Sequence, residues 1–241
     1  MKNLKLWSLA ISIMCSALSC AQWGSGEKVR GNGNMSSTTR SVADYEGVKV
    51  AGSMDVRLIE GSEGTITLEG ESNLLEYIET KISEDNLIIK VKDGYNLKPT
   101  RRLVITVPYE QLNLVALAGS GDITSSGALS SDDLEVALAG SGDIELAISA
   151  SKTHVKIAGS GDIKISGTST NLNVVIAGSG DFDGENLRGE DVDATISGSG
   201  TAKVFCSGHL NGRISGSGDI IYSGNPKTKN TTISGSGSIK S

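Results

Sequence analysis

Five aspartates occupy one position of a repeated nonamer. Asp122, Asp143, Asp162, Asp181 and Asp219 each follow a Gly-Ser-Gly, as in VALAGSGDI at 115–123. In a stack of extended chains they form one column along an outer edge, with neighbours about 4.8 Å apart. Each neighbouring pair of carboxylates then repels by about 0.9 kcal/mol before salt screening, which a wet surface tolerates. Two chemistries fit such a column. The carboxylates can accept hydrogen bonds from nearby backbone amides, as turn aspartates do. Alternatively, they can form a calcium ladder, with carboxylate oxygens from successive turns as ligands. Calcium-binding glycine/aspartate repeats return every nine residues with paired turns, whereas the interval here is about 19 residues. The spacing favours the turn role, so the expectation is no metal site.

Other chemistry-bearing residues are scattered. Glycoside cleavage needs two carboxylates facing one groove, and Asp132/Asp133, Asp181/Asp183 and Asp191/Asp193 are the available pairs. Each sits in a loop or a period-two context that solvated strand faces produce routinely. Once an export segment is removed, Cys206 is the one cysteine left beyond position 20, and His154 and His209 are the only histidines. A zinc site or a Cys/His pair has almost nothing to build from; Cys206 reads as a small core residue. No copy of Gly-Ser-Gly continues into the GxxxxGK[ST] of a phosphate loop. Two Phe, two Trp and five Tyr leave few platforms for stacking sugars. The expectation is no catalytic residue and no cofactor.

Cys20 carries a different chemistry. Lys2 and Lys5 precede the 13-residue apolar run LWSLAISIMCSAL, and small residues follow at 19–21. This is the pattern of an export signal over 1–21, too short for a membrane-spanning helix. ALSC ending at Cys20 matches a loose bacterial lipobox, whose cysteine is acylated. Plain cleavage after Ala21 competes with it. Removal of the first 19 residues leaves 20 basic against 28 acidic side chains. That balance argues against nucleic acid and anionic membrane surfaces as partners, and leaves a lipid anchor as the expected route to a membrane.

The elements that carry these residues are written in the repeat. The first glycines of seven copies are Gly119, Gly140, Gly159, Gly178, Gly198, Gly216 and Gly235, at intervals of 21, 19, 19, 20, 18 and 19 residues. Two positions before each stands a Leu or Ile, from Leu117 to Ile233. In an extended chain Val115, Leu117, Gly119, Gly121 and Ile123 share one face, and Ala118, Ser120 and Asp122 share the other. Like can therefore stack on like in a β-solenoid with Leu/Ile inside and glycine where the chain bends. An up-and-down antiparallel arrangement with Gly-Ser-Gly hairpins is the rival; it does not account for the matched lengths and columns. VKVAGSMDV at 48–56 aligns Gly52, Asp55 and Val56 with Gly119, Asp122 and Ile123, so the irregular region to about 110 is expected to share the architecture. SNLLEYIETKI at 72–82 suggests a short helical turn capped by Ser72. Residues 22–41, polar and glycine-rich, are expected to form a flexible tether. Residues 42–225 form the repeat domain in this reading, and 226–241 its last rung. That rung ends without a covering element, which leaves either a frayed polar cap or pairing with a second copy or partner strand.

TRSVADYEGVKVAGSMDVRLIEG, ESNLLEYIETKISEDNLIIKVKDG and the following AGSGDI copies together resemble the putative auto-transporter adhesin, head GIN domain family, over about 40–225. The resemblance implies a right-handed, pectin-lyase-like parallel β-helix in an exported protein of a Gram-negative bacterium. It supplies no catalytic residues. Thr201 and Ser238 replace the aspartate of the pattern, and SGSG replaces AGSG from Ser197 onward. The expected function is a non-enzymatic cell-envelope module, an outer-membrane lipoprotein facing the periplasm or the cell surface. It binds a glycan or protein ligand through a solenoid face. The alternative is an envelope carbohydrate-active enzyme or carbohydrate-binding protein, and an extracytoplasmic sensor partner is a third reading.

Overall fold

Alternating apolar residues make the strands, and the repeated glycines decide how they stack. The computed structural model describes residues 26–241; the expected signal segment, Cys20 and residues 22–25 lie outside the described residues. Nine strands precede the regular repeats: β1 (Glu27–Arg30), β2 (Met35–Ser41), β3 (Gly47–Gly52), β4 (Asp55–Glu60), β5 (Thr65–Glu71), β6 (Ile78–Ser83), β7 (Asn86–Val91), β8 (Tyr95–Lys98) and β9 (Val104–Tyr109). The repeats supply β10 (Leu114–Gly119), β11 (Ile123–Gly140), β12 (Ile144–Gly159), β13 (Ile163–Gly178), β14 (Phe182–Gly198), β15 (Thr201–Cys206), β16 (His209–Gly216), β17 (Asp219–Ser223), β18 (Thr228–Gly235) and β19 (Ser238–Lys240).

From β10 onward every pairing is parallel, so the hairpin alternative is excluded. The chain is a β-solenoid of about seven turns with about 19 residues per turn. Leu117 stands opposite Leu138, then Ile157, Ile176, Ile196, Ile214 and Ile233 in successive turns. The column continues downward through Val50 and Ile89. A second inward column runs Val56, Ile123, Ile144, Ile163, Phe182, Ala202, Ile220 and Ile239. Phe182 fits this column because Ala202 above it is small; a side chain at Gly184 would strike the ring. The degenerate copy behaves as its alignment predicted, with Gly52 opposite Gly119 and Val56 opposite Ile123.

Each brick's first glycine, from Gly52 to Gly235, has φ between +133° and +142°, a region that side chains rarely enter. Up to Gly216, its carbonyl accepts the next turn's Ser N–H at 2.8–3.0 Å, and in most turns the following Gly N–H at 3.1–3.3 Å. That approach is so close that a Cβ on Gly140 would overlap the Gly119 carbonyl oxygen, and one on Gly159 the Gly140 oxygen. Met54 takes the second-glycine position of the first brick; it is buried, its carbonyl lies under Gly121 and its methyl under Gly52. It closes the base of the glycine stack.

Chain order and stacking order differ below β10. β3 lies between β7 and β10, and β4 between β9 and β11. The chain therefore lays down the β3–β4 turn and then builds downward. β5 runs antiparallel to β9 and β6 antiparallel to β7, while β7 and β9 make the turn beneath β3 and β4. The chain then passes the β3–β4 turn to begin β10. Arg40 ties this base together. Its guanidinium donates to the Ile78 carbonyl at 2.6 Å and to the Leu75 carbonyl at 2.7 Å.

The expected tether is corrected from Glu27 onward. β1 pairs parallel with β8, and β2 pairs antiparallel with β5. Their few apolar residues hid them, because both strands lie at the margin with one face in water. The helical turn at 75–77 is present, but it starts from Leu74 with no side-chain cap, not from Ser72. At the other end, Tyr222 and Ile239 pack on the core, and Lys229 Nζ donates to the Tyr222 hydroxyl at 3.1 Å. β18 pairs with β16, and among the described residues no further strand pairs with it; Ile233 is 45% exposed.

Glu71 fixes the basal loops. It is 1% exposed, and its carboxylate accepts the Gly33 N–H at 2.6 Å, the Thr100 N–H and hydroxyl at 2.7 Å, and the Arg101 N–H at 3.2 Å. Burial pushes its pKa up, but the hydrogen bonds outweigh burial and hold it at about 2.

Gly159→Ala is expected to lose about 3 kcal/mol or more of unfolding free energy, from the φ strain and the carbonyl overlap together. The exposed Ser160→Ala control should stay within about 0.5 kcal/mol; denaturant titration reads both. The Glu71 contribution to stability is complete above the unfolded carboxylate pKa and is lost as pH falls through about 2. Wild type should therefore lose melting temperature over this acid range more steeply than Glu71→Gln, which starts lower and lacks that titration.

Candidate functional site

The aspartate column has the turn role. Asp122 Oδ1 accepts the Asp143 N–H at 3.3 Å, Asp143 the Asp162 N–H at 3.1 Å, and Asp162 the Asp181 N–H at 2.8 Å. Asp181 accepts the Thr201 N–H at 2.7 Å. Thr201 has no carboxylate, so the Asp219 N–H turns to the Gly200 carbonyl at 3.2 Å, and Asp219 restarts the series on Ser238. One oxygen of each of these carboxylates is thus spent on the turn above. Among the described residues no group of three or more His, Cys, Asp or Glu converges as metal ligands do.

Five of the six carboxylates in the candidate pairs are engaged separately. Asp133 Oδ1 lies 3.5 Å from His154 Nε2, Asp183 accepts the Glu185 N–H, Asp191 accepts the His209 N–H, and Asp193 accepts from the Asn211 amide. His154 and His209 are three turns apart, roughly 14 Å along the axis. Cys206 is fully buried, bonds the Glu190 carbonyl at 3.3 Å, and burial pushes its thiol pKa up. That environment makes the thiol inert.

The structure brings other residues together. Each turn has a second corner, opposite Gly-Ser-Gly in sequence, where Asp132, Ser151 and Thr170 drop out of the pairing. Beside them Ser130, Ser149 and Thr168 stand in register. These residues line one side of a cleft of about 660 Å³, and Glu46, Gln111 and Asn113 line its lower end. It opens where the regular stack meets the base. The first turn spans 21 residues instead of 19, and its register slips between Thr124 and Ala128. The cleft offers exposed hydroxyls, amides and two carboxylates, with Leu112 and Ala150 as its apolar lining. Such a surface can hydrogen-bond a polar ligand lying along the axis. This segment carries the length variation between bricks, which masks its regularity. Its signal was there: Ser130, Ser149 and Thr168 recur at intervals of 19, as do Asp132, Ser151 and Thr170.

Comparison with known proteins adds the following. The family model described as "Putative auto-transporter adhesin, head GIN domain" matches residues 44–226. The chain is similar to the crystal structure of a putative adhesin from Bacteroides fragilis, with 21% identity and a TM-score of 0.81 over 88% of this chain and 99% of that one. A putative lipid binding protein from Parabacteroides distasonis shares 25% identity, with a TM-score of 0.75 over 89% and 99%. A putative adhesin from the same organism shares 23%, with a TM-score of 0.72 over the same shares. No curated protein matches.

The ladder makes a specific demand on Asp162. Asp162→Asn keeps an acceptor for the Asp181 amide and should be nearly neutral, whereas Asp162→Ala should cost about 1 kcal/mol. The melting temperature is expected to be the same in calcium and in chelator. A calcium-dependent rise lost in Asp162→Asn would instead show the free carboxylate oxygens acting as ligands.

Proposed function

The chain belongs to the putative auto-transporter adhesin, head GIN domain family, and from that footing we propose that it is a non-enzymatic, exported cell-envelope module that binds a polar surface ligand. Its solenoid is the support and the hydroxyl-lined cleft is the contact. The family and its structural neighbours support a surface-binding role. The observation that carries the finer reading is the cleft itself. It repeats small hydroxyl side chains at the turn spacing, it stands open along the axis, and its lining supplies hydrogen-bond donors and acceptors. An extended glycan or polar peptide of a neighbouring surface fits that chemistry. Asp133, Asp181, Asp183, Asp191 and Asp193 each hold a separate partner, which supports binding over hydrolysis, since general acid–base work needs two carboxylates free to face one bond.

Export rests on the sequence at 1–21, and anchoring on acylation of Cys20 at the outer membrane of a Gram-negative cell. Among the described residues no helix is long and apolar enough to cross a membrane.

Two measurements test this reading. Binding of the chain 22–241 to glycan arrays and to whole cells should fall at least about tenfold in Ser149→Arg/Thr168→Arg, which fills the cleft, and stay unchanged in Ser179→Arg on the opposite corner. The array and the cells separate glycan from protein ligands, and equal binding by all three proteins would remove the cleft from the function. For the anchor, Cys20→Ser should release soluble protein and abolish labelling with palmitate. A variant that partitions like wild type means plain secretion.

A further inference from the structure

The acidity that argued against an anionic membrane surface is unevenly distributed. Residues 111–226 hold 14 acidic and 6 basic side chains, whereas 27–30 and 92–102 together hold 6 basic and 2 acidic. These two basic segments are one surface. β1 and β8 form a two-stranded parallel sheet at the base, with Val29 opposite Leu97 and Arg30 opposite Lys98. Val29 and Leu97 pack on the core, which turns Lys28, Arg30 and Lys98 outward. The Gly31 N–H donates to the Lys98 carbonyl at 3.1 Å, and the Glu71 carboxylate draws Gly33, Thr100 and Arg101 onto one point. Arg101 and Arg102 are thereby fixed beside the sheet. All five side chains are exposed, and among the described residues none is in an ion pair.

Folding alone gains nothing from this arrangement. Like charges directly opposite on neighbouring strands destabilise a sheet, and Arg30 and Lys98 are such a pair. An exposed apolar side chain adjoins the charges. Met35, 55% exposed, is the strand partner of Glu71, whose carboxylate holds Arg101; Tyr95 shares Leu97's face of β8 and sets its ring 4.6 Å from that of Tyr77. Basic side chains bordered by an exposed apolar tip suit a bilayer interface, where cations meet headgroups and the tip enters the acyl boundary. A soluble polyanion would use only the charges.

We propose that this basal face, built on Lys28, Arg30, Lys98, Arg101 and Arg102 with Met35 at its margin, docks against an anionic phospholipid surface. The solenoid then stands away from the bilayer with its acidic turns and cleft directed outward. Docking does not require acylation of Cys20, but the two agree in place. Five residues separate Cys20 from Gly26, at most about 22 Å of extended chain.

The test uses the non-acylated chain 22–241, which contains every described element. It is sedimented with vesicles of phosphatidylcholine alone or mixed with phosphatidylglycerol, at low and high salt. Partition should require the anionic lipid and weaken with salt. It should fall at least about tenfold in Arg30→Glu/Lys98→Glu/Arg101→Glu. Lys152→Glu/Arg213→Glu/Lys227→Glu, with the same change in net charge elsewhere, should partition like wild type. Trp23→Phe/Met35→Trp places a single tryptophan, the one introduced at position 35, on the proposed face of the chain. Its emission should shift to the blue on anionic vesicles and not on dextran sulfate; this arm holds even if the basal triple variant misfolds. Absence of partition to anionic vesicles, equal loss in both triple variants, or an emission of the tryptophan variant indifferent to vesicles would overturn the proposal.

Discussion

One glycine carbonyl receiving amides from the turn above is the contact on which the rest of the structure depends. It brings two backbones so close that no Cβ fits between them, and it recurs at every first glycine from Gly52 to Gly216. Register follows directly. Once Gly140 sits over Gly119 and Gly159 over Gly140, the residues two before and four after each glycine must also superpose. That places Leu117, Leu138, Ile157 and Ile176 in one buried column and Ile123, Ile144 and Ile163 in the other. Each fully buried Leu or Ile then contributes about 2 kcal/mol, so the corner sets the geometry and the columns supply the stability. The aspartates are secondary to this. Thr201 interrupts their series, and the glycine and inward apolar columns continue past it in register.

That dependence explains what was legible in the sequence. A repeat whose every copy makes the same contact shows its columns as matching letters, and even the degenerate copy at 48–56 could be aligned. The base could not be read in the same way. β5, β6, β7 and β9 all alternate apolar and polar residues, and alternation is the same for parallel and antiparallel partners. Nothing local says that β7 and β9 lie beneath β3 and β4. Glu71 was hidden because its donors, Gly33, Thr100 and Arg101, come from segments about 30 to 40 residues away. β1 and β2 were hidden for lack of an apolar period, since each presents one face to water. The cleft was legible in principle through its 19-residue spacing. Its letters, Ser, Thr and Asp, are also those of an ordinary solvated corner.

The two ends and two corners of the molecule divide the work. The Gly-Ser-Gly corner is backbone-bonded and presents small side chains, which suits a spine. The opposite corner has unpaired positions and a cleft, which suits contact with a ligand. At the base, antiparallel strands and the Glu71 contacts close the stack and gather the basic side chains. At the far end Tyr222 and Ile239 pack against the core, and Lys229 bonds the Tyr222 hydroxyl.

Native-state hydrogen exchange at the Gly-Ser-Gly corners addresses the central claim most directly. An exposed loop exchanges its amides quickly, whereas a spine does not. The Ser160, Gly161, Ser179 and Gly180 amides should be protected to the same degree as those of Val155 and Val174 in the adjoining strands, and should open only with the whole stack. Exchange of these four amides at loop rates while the strand amides stay protected would contradict the claim, and would leave the Leu and Ile columns alone to set the register.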